Sequence, residues 1–330
     1  MKSFANVNPK DLGQAVATLQ EARQAGKKAA LVGGGSDLLG MIKEGLAAPD
    51  LLVDLKNLKE LEGIESHSEG VRIGGLTTLD AILRRPLIRS DYTALSEGAE
   101  VVATPQIRNV GTLAGNLCQR PWCWYLRQGF PCFKNGGNMC YSAVGENQFN
   151  AIFGGGPSFI VHPSDTAPAL VALEASFRIV GPGGERVVPA SEFFTLPSRD
   201  VARENVLEAD EVLVEVQLPA AVQERKSTYV KIMDREAWTH AMVSAAIVLD
   251  ISQGVCSRAR IVLGGVAPIP WQVPNAARML VGQRVTEDLA DRVGQAAVAG
   301  ARPLAKNGYK VPMTRALVKR TLISLAGQAA

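Results

Sequence analysis

Val32-Gly33-Gly34-Gly35-Ser36-Asp37-Leu38-Leu39 is the stretch whose reading decides the fold. It follows Ala29-Ala30-Leu31-Val32, a short apolar run that reads as a buried strand. Three adjacent glycines permit positive φ and remove every Cβ that would hold a ligand off the backbone. Successive N–H groups can then converge on a diphosphate as an anion-binding nest, with the Ser36 hydroxyl as a further donor. The competing reading is a tight turn after a strand. The cluster is not a Walker A loop, since no Gly-Lys-Ser or Gly-Lys-Thr follows, and it is not a GxGxxG fingerprint.

Upstream, residues 8–25 predict an amphipathic helix with Asn8 as N-cap, Pro9 at the first helical position and Asp11 in the first turn. Leu12, Ala15, Val16 and Leu19 give it an apolar face, and Gly26 ends it. Downstream, 51–55 and 71–75 predict strands and 78–84 a helix. Residues 104–160, rich in Gly, Cys, Asn and Pro, predict long loops of the kind that carry function. A helix is expected at 165–173, then strands at 176–180, 212–217, 227–233 and 258–265, a long apolar segment at 240–251, and helices at 285–300 and 312–327. Pro219 marks a boundary.

The length of 330 residues suggests two domains, or one with two subdomains, and 47% apolar residues supply a substantial core. A net charge of +3 gives no reason to expect nucleic acid or an anionic membrane as partner. No stretch approaches the ~20 apolar residues of a membrane span. The N-terminus lacks the pattern of a signal peptide, so the expected location is the cytoplasm, or export with a signal-bearing partner. His67, His162 and His240 lie far apart in the sequence and read as structural or surface residues.

A second glycine cluster is Thr104-Pro105-Gln106-Ile107-Arg108-Asn109-Val110-Gly111-Thr112-Leu113-Ala114-Gly115-Asn116-Leu117. Polar side chains alternating with glycines suit a dinucleotide that needs many hydrogen bonds and close backbone approach; a polar loop packing on another subunit is the alternative.

Four of the five cysteines, Cys118, Cys123, Cys132 and Cys140, fall within 23 residues in the spacing C-x4-C-x8-C-x7-C. Soft thiolates select zinc or an iron–sulfur cluster. Structural zinc favours two close pairs, which this spacing lacks. Disulfides are not expected in a cytosolic chain. Four cysteines suffice for [4Fe–4S], and Arg120, Arg127 and Lys134 would offset its negative charge. Backbone N–H groups at Gly136-Gly137 could bond its sulfurs. Cys256 stands alone and reads as an ordinary thiol.

GGGSDLL at 33–39 and TPQIRNVGTLAGNL at 104–117 together resemble the FAD-binding (medium) subunit of the xanthine dehydrogenase and carbon monoxide dehydrogenase family of molybdenum hydroxylases. His162-Pro163-Ser164-Asp165-Thr166-Ala167-Pro168 matches in the family's order, as do Ala241-Met242-Val243-Ser244 and Gly264-Gly265-Val266-Ala267-Pro268. The resemblance implies an α+β fold: an FAD-binding domain of the vanillyl-alcohol-oxidase (PCMH) type in two subdomains at 1–220, then an α+β C-terminal flavoprotein domain at 221–330. It implies that Val32, Gly33, Gly34, Gly35, Ser36, Asp37, Leu38 and Leu39 hold the FAD diphosphate. Gly75, Thr77 and Thr78 would lie near the flavin. Thr104, Gly111, Thr112, Gly115 and Asn116 would line the cofactor, Asp165 would bind near its ribose or adenine, and Lys231 would stand at the flavin ring.

The cysteines resemble those of a subgroup that includes 4-hydroxybenzoyl-CoA reductase and bacterial aldehyde oxidoreductase, whose flavin subunits carry an extra [4Fe–4S] cluster. That implies an iron–sulfur insertion at 117–158 with Cys123, Cys132 and Cys140 as ligands, the fourth being Cys118 or an oxygen of Ser158. The family role is electron transfer in a heterotrimer, or its dimer, with a large molybdenum-cofactor subunit and a small [2Fe–2S] subunit. No acid–base residue is then needed, in accord with the lack of a recognisable catalytic His or carboxylate pair. A stand-alone flavin oxidase of the same fold is the alternative.

Overall fold

The structure is a computed structural model, which describes residues 2–327. Its first sheet is parallel and three-stranded: β1 (Ala5–Val7), β2 (Ala29–Val32) and β3 (Leu51–Asp54), with β3 in the middle. The helix Leu12–Gln24 connects β1 to β2 and buries Ala15, Val16, Leu19 and Ala22. Its start differs from expectation. Asp11 is the N-cap, accepting from Gln14 N at 2.8 Å, and Asn8 and Pro9 lie outside the helix. An aspartate three residues before a free amide outcompetes an asparagine further back.

A five-stranded antiparallel sheet follows, in the order β4 (Ile64–His67), β5 (Gly70–Gly74), β8 (Val212–Pro219), β6 (Ser176–Gly181), β7 (Gly184–Pro189). Helices Leu79–Arg84, Thr93–Glu100 and Thr166–Ala172 contribute to the largest core, which Ile73, Phe177 and Val216 enter from the sheet. The expected strands at 71–75, 176–180 and 212–217 are all present. β1, β4 and β7 went unread because they are short or largely exposed, with no apolar alternation to mark them.

The third sheet is antiparallel: β9 (Arg225–Ile232), β10 (Val243–Ser252), β11 (Val255–Gly264) and β12 (Trp271–Gln272) in sequence order. β10 explains the apolar segment at 240–251. Ala246 and Val248 point into the largest core, while Val243, Ala245, Ile247 and Leu249 enter a second core under helices Glu287–Ala297 and Lys310–Gly327. A strand with both faces covered loses the polar alternation of a half-exposed one.

The segment 104–160 is not uniformly loop. It contains short helices at Pro105–Arg108, Leu113–Cys118 and Trp124–Arg127. Among the described residues, no helix is long and apolar enough to cross a membrane.

Candidate functional site

A cavity of about 1170 Å³ opens between the parallel sheet, the two glycine clusters and the β9–β10 connection. Its wall begins where β2 ends. Gly33, Gly34, Gly35 and Ser36 leave the strand without further pairing, and their N–H groups donate to no protein acceptor among the described residues. Four consecutive unpaired donors at a cavity wall are what an anionic diphosphate requires.

The second glycine cluster packs directly against the first. A Cβ on Gly34 would fall 1.9 Å from the carbonyl oxygen of Val110, and one on Gly33 would fall 2.9 Å from Thr112 Oγ1. Gly35 has φ of +75°, which only glycine adopts without strain. Thr112 caps the helix Leu113–Cys118 by accepting from Gly115 N at 3.2 Å. Gly33 and Gly34 of the first loop are thus required by the mutual approach of the two loops.

Gly111, Thr112, Gly115, Asn116 and Asp165 line the same cavity, together with Val32 through Leu38. Asn116 Oδ1 accepts from Ser164 Oγ at 2.6 Å and from Thr166 Oγ1 at 2.7 Å, which joins the second glycine cluster to the His162–Asp165 turn. The motifs at 33–39, 104–117 and 162–168 therefore meet at one site.

Several expected cofactor residues are not brought to it. Leu39, Gly75, Thr77, Thr104 and Lys231 do not line the cavity. Thr77 Oγ1 is taken by the N–H and the carbonyl of Gly63, both at 3.0 Å. Gly75 packs under β8, where a Cβ would lie 2.6 Å from Leu213 O. Thr104 opens the short helix Pro105–Arg108 without a side-chain cap bond. Thr78 caps the helix Leu79–Arg84 by accepting from Ala81 N at 3.2 Å.

Lys231 is the clearest correction. Its side chain is wholly buried, and its ammonium donates to Asp165 Oδ2 at 2.7 Å, Thr239 O at 2.9 Å and Val101 O at 3.1 Å. All three donors are used, so none is left for a flavin ring. Tyr229 donates to the other oxygen of Asp165 at 2.7 Å. Burial pushes the Asp165 carboxyl up, and Lys231 and Tyr229 pull it back toward the charged form.

Sequence reasoning missed residues that join the cavity through tertiary contact alone. Trp122 and His240 are in ring contact, with centroids 5.2 Å apart, although 118 positions separate them. His162 also lines the cavity. Its ring meets Leu117 O at 3.3 Å, and burial lowers its pKa to about 4, so it is neutral near pH 7. Ala103 and Trp238 both carry positive φ, 45° and 57°, and Trp238 N donates to Ala103 O at 3.1 Å across the cavity rim.

The cysteines fit less well. Among the described residues, no three His, Cys, Asp or Glu side chains are gathered in an arrangement that could hold a metal ion. Cys118 ends the helix Leu113–Cys118, and burial pushes its thiol up to about 12, the opposite of a ready thiolate. Cys123 and Cys140 are close enough for Cys140 to raise the thiol of Cys123, although burial is the larger cause. Each of these two sulfurs has an N–H neighbour, Asn150 Nδ2 at 3.9 Å from Cys123 and Phe159 N at 3.5 Å from Cys140. The four cysteines as arranged do not form a ligand set among the described residues. The nearby cations are also committed elsewhere: Arg127 pairs with Asp37, while Lys134 and Arg120 stand 3.1 and 3.2 Å from Glu204.

A mixed α/β domain with two glycine loops around a large cavity, followed by an antiparallel sheet backed by helices, is the architecture that the family comparisons identify. Residues 2–221 match the family described as the FAD binding domain in molybdopterin dehydrogenase, and 228–325 match the CO dehydrogenase flavoprotein C-terminal domain. The chain belongs to this family, as an FAD-binding subunit of an oxidoreductase. It is 30% identical to the carbon monoxide dehydrogenase medium chain of Hydrogenophaga pseudoflava, over 95% of this chain and 94% of that one. It is 32% identical to the aldehyde oxidoreductase FAD-binding subunit PaoB of Escherichia coli K12, over 96% of this chain and 95% of that one. The solved carbon monoxide dehydrogenase of H. pseudoflava lacking the Mo-pyranopterin moiety superposes with a TM-score of 0.78, at 28% identity, covering 99% of this chain and 98% of that one.

Proposed function

We propose that this chain relays electrons through FAD, between the iron–sulfur centres of a partner subunit and an external acceptor such as NAD⁺, a quinone or oxygen. The single observation that carries this reading is the row of four unpaired N–H groups, Gly33 through Ser36, on the wall of a cavity closed by the Gly111–Asn116 loop. Bound there, FAD would exchange electrons singly or in pairs, which neither a nicotinamide nor an iron–sulfur centre does alone. The chain's own residues bind and orient. Gly33–Ser36 donate to the diphosphate, Gly111 and Thr112 hold the loop against it, and Asp165 sits at the far wall. Asp165 is tied to Lys231, and His162, with its pKa lowered to about 4, is a weak base, which suits electron transfer better than proton chemistry.

The relatives are named as a medium chain and as an FAD-binding subunit. That supports a complex with a large molybdenum-cofactor subunit and a small [2Fe–2S] subunit, with residues 1–220 and 221–330 as two domains of this chain. Within the 117–158 insertion, the mutual approach of Cys123 and Cys140, each with an N–H beside its sulfur, supports an iron–sulfur cluster at that end. Cys132 would have to join them. Ser158, buried next to Phe159, whose N–H meets Cys140, would be the further ligand.

Visible absorption of the purified chain tests the reading. Flavin bands that persist through gel filtration are expected, with a broad additional shoulder and bound iron if the cluster is present. A folded, colourless chain that takes up no FAD on titration would overturn it.

A further inference from the structure

Asp37 lies in the loop that the proposed function gives to the FAD diphosphate, yet it carries a negative charge. Left alone, that carboxylate would repel the ligand. The structure ties it to two donors. Its Oδ1 accepts from Arg127 Nη2 at 2.8 Å, and its Oδ2 from the backbone N–H of Arg120 at 3.1 Å. Both side chains are largely buried, at 9% exposed for Arg127 and 21% for Asp37, so solvent screens the pair little.

Arg127 is built to hold this position. It ends the one-turn helix Trp124–Arg127, whose N-cap is Cys123. Its Nε donates to Pro121 O at 3.0 Å and its Nη2 to Arg120 O at 2.9 Å, which folds the 120–122 turn back on the guanidinium. The guanidinium lies 4.0 Å from the Trp122 ring centroid, and the ring of His240 is in contact with Trp122. The cysteine insertion thus reaches the glycine loop through one cation.

We propose that Arg127 is a positioning residue for FAD: it neutralises Asp37 and holds that carboxylate away from the diphosphate, so that the insertion sets the affinity of the flavin site. This rests on the reading of the cavity as the FAD site. The role is charge compensation through Asp37, without contact between Arg127 and the cofactor.

The test is a double-mutant cycle on the chain in its native complex, read as the dissociation constant for FAD after the flavin is removed and titrated back. Arg127→Gln keeps amide donors for the two carbonyls but removes the charge, and should weaken FAD at least tenfold. The reference for the cycle is Asp37→Asn, which removes the carboxylate that Arg127 neutralises. The pair together should recover to near the Asp37→Asn value, because no carboxylate is left to repel the ligand. Arg127→Lys, which keeps the charge, should retain FAD within about threefold. Unchanged affinity in Arg127→Gln, or a double variant no better than Arg127→Gln, would overturn the proposal. If Arg127→Gln does not fold, a tenfold loss in folded Arg127→Lys overturns it instead. Failure of the wild-type protein to bind FAD at all would strike the proposed function, a separate outcome.

Discussion

Lys231 and Asp165 form a buried ion pair, Nζ to Oδ2 at 2.7 Å, with side chains 0% and 6% exposed. It fastens β9 to the turn before the helix Thr166–Ala172, and so the C-terminal sheet to the cavity wall. Lys231→Met would leave the Asp165 carboxylate buried with only Tyr229 as donor. The expected loss is about 3–5 kcal/mol, the cost of an unpaired buried charge. Lys231→Met combined with Asp165→Asn should recover most of it. Urea denaturation of the four proteins checks this; equal losses in the single and double variants would refute it.

Gly34→Ala should separate the two glycine loops, since the new methyl would meet the Val110 carbonyl at 1.9 Å. The backbone there cannot yield without moving the diphosphate donors. FAD affinity should fall at least tenfold, or about 1.4 kcal/mol, while the far-ultraviolet circular dichroism stays unchanged. Gly183→Ala, in the turn between β6 and β7 with open space at its Cβ and outside the cavity, serves as the silent control.

Lys310 gives a pH dependence with a definite sign. It is completely buried, donating to Phe149 O at 3.0 Å and Gly265 O at 2.6 Å, and burial lowers its pKa to about 7. In the unfolded chain it keeps its proton to roughly pH 10. Between these values the unfolded state binds more protons, so stability rises with pH, by at most about 1.4 kcal/mol per unit. Below pH about 7 both states are protonated and the contribution is flat. The neutral amine still has donors for both carbonyls. Lys310→Met should show a lower baseline and a shallower rise in urea midpoint between about pH 7 and pH 9. Identical slopes would exclude Lys310 as the source.

Iron content discriminates among the cysteines. Cys118→Ser should leave bound iron unchanged, because Cys118 closes the helix Leu113–Cys118 and packs against the largest hydrophobic core. Cys123→Ser and Cys140→Ser should each lower it. Ser158→Cys should raise it, by adding a thiolate beside Phe159, whose N–H already meets Cys140. Iron lost in Cys118→Ser and kept in Cys140→Ser would reverse the assignment.

Much of the fold was legible where periodicity is strong. β5, β6, β8 and β11 and the last two helices follow from apolar spacing alone. The exposed strands β4 and β7 were not legible, because each is the solvent-facing arm of a hairpin with β5 or β6 and carries no apolar alternation of its own. Within the site, Gly33, Gly34, Gly35, Gly111 and Thr112 were readable because close backbone approach restricts residue type. Lys231 was not: its type suits a flavin contact, but nothing local says that Asp165, 66 residues earlier, takes its charge.

The sequence by itself determined which backbone positions of the two glycine loops accept close approach, since their glycines carry no Cβ; that the two loops line one cavity was decided by the tertiary structure. The sequence did not determine where the charges of Asp37, Arg127, Asp165 and Lys231 would go. Each could serve a cofactor or a neighbour with equal local chemistry. Only the tertiary structure decides between them, because the energy of a charge depends on the partner brought within about 3 Å and on the water excluded around it.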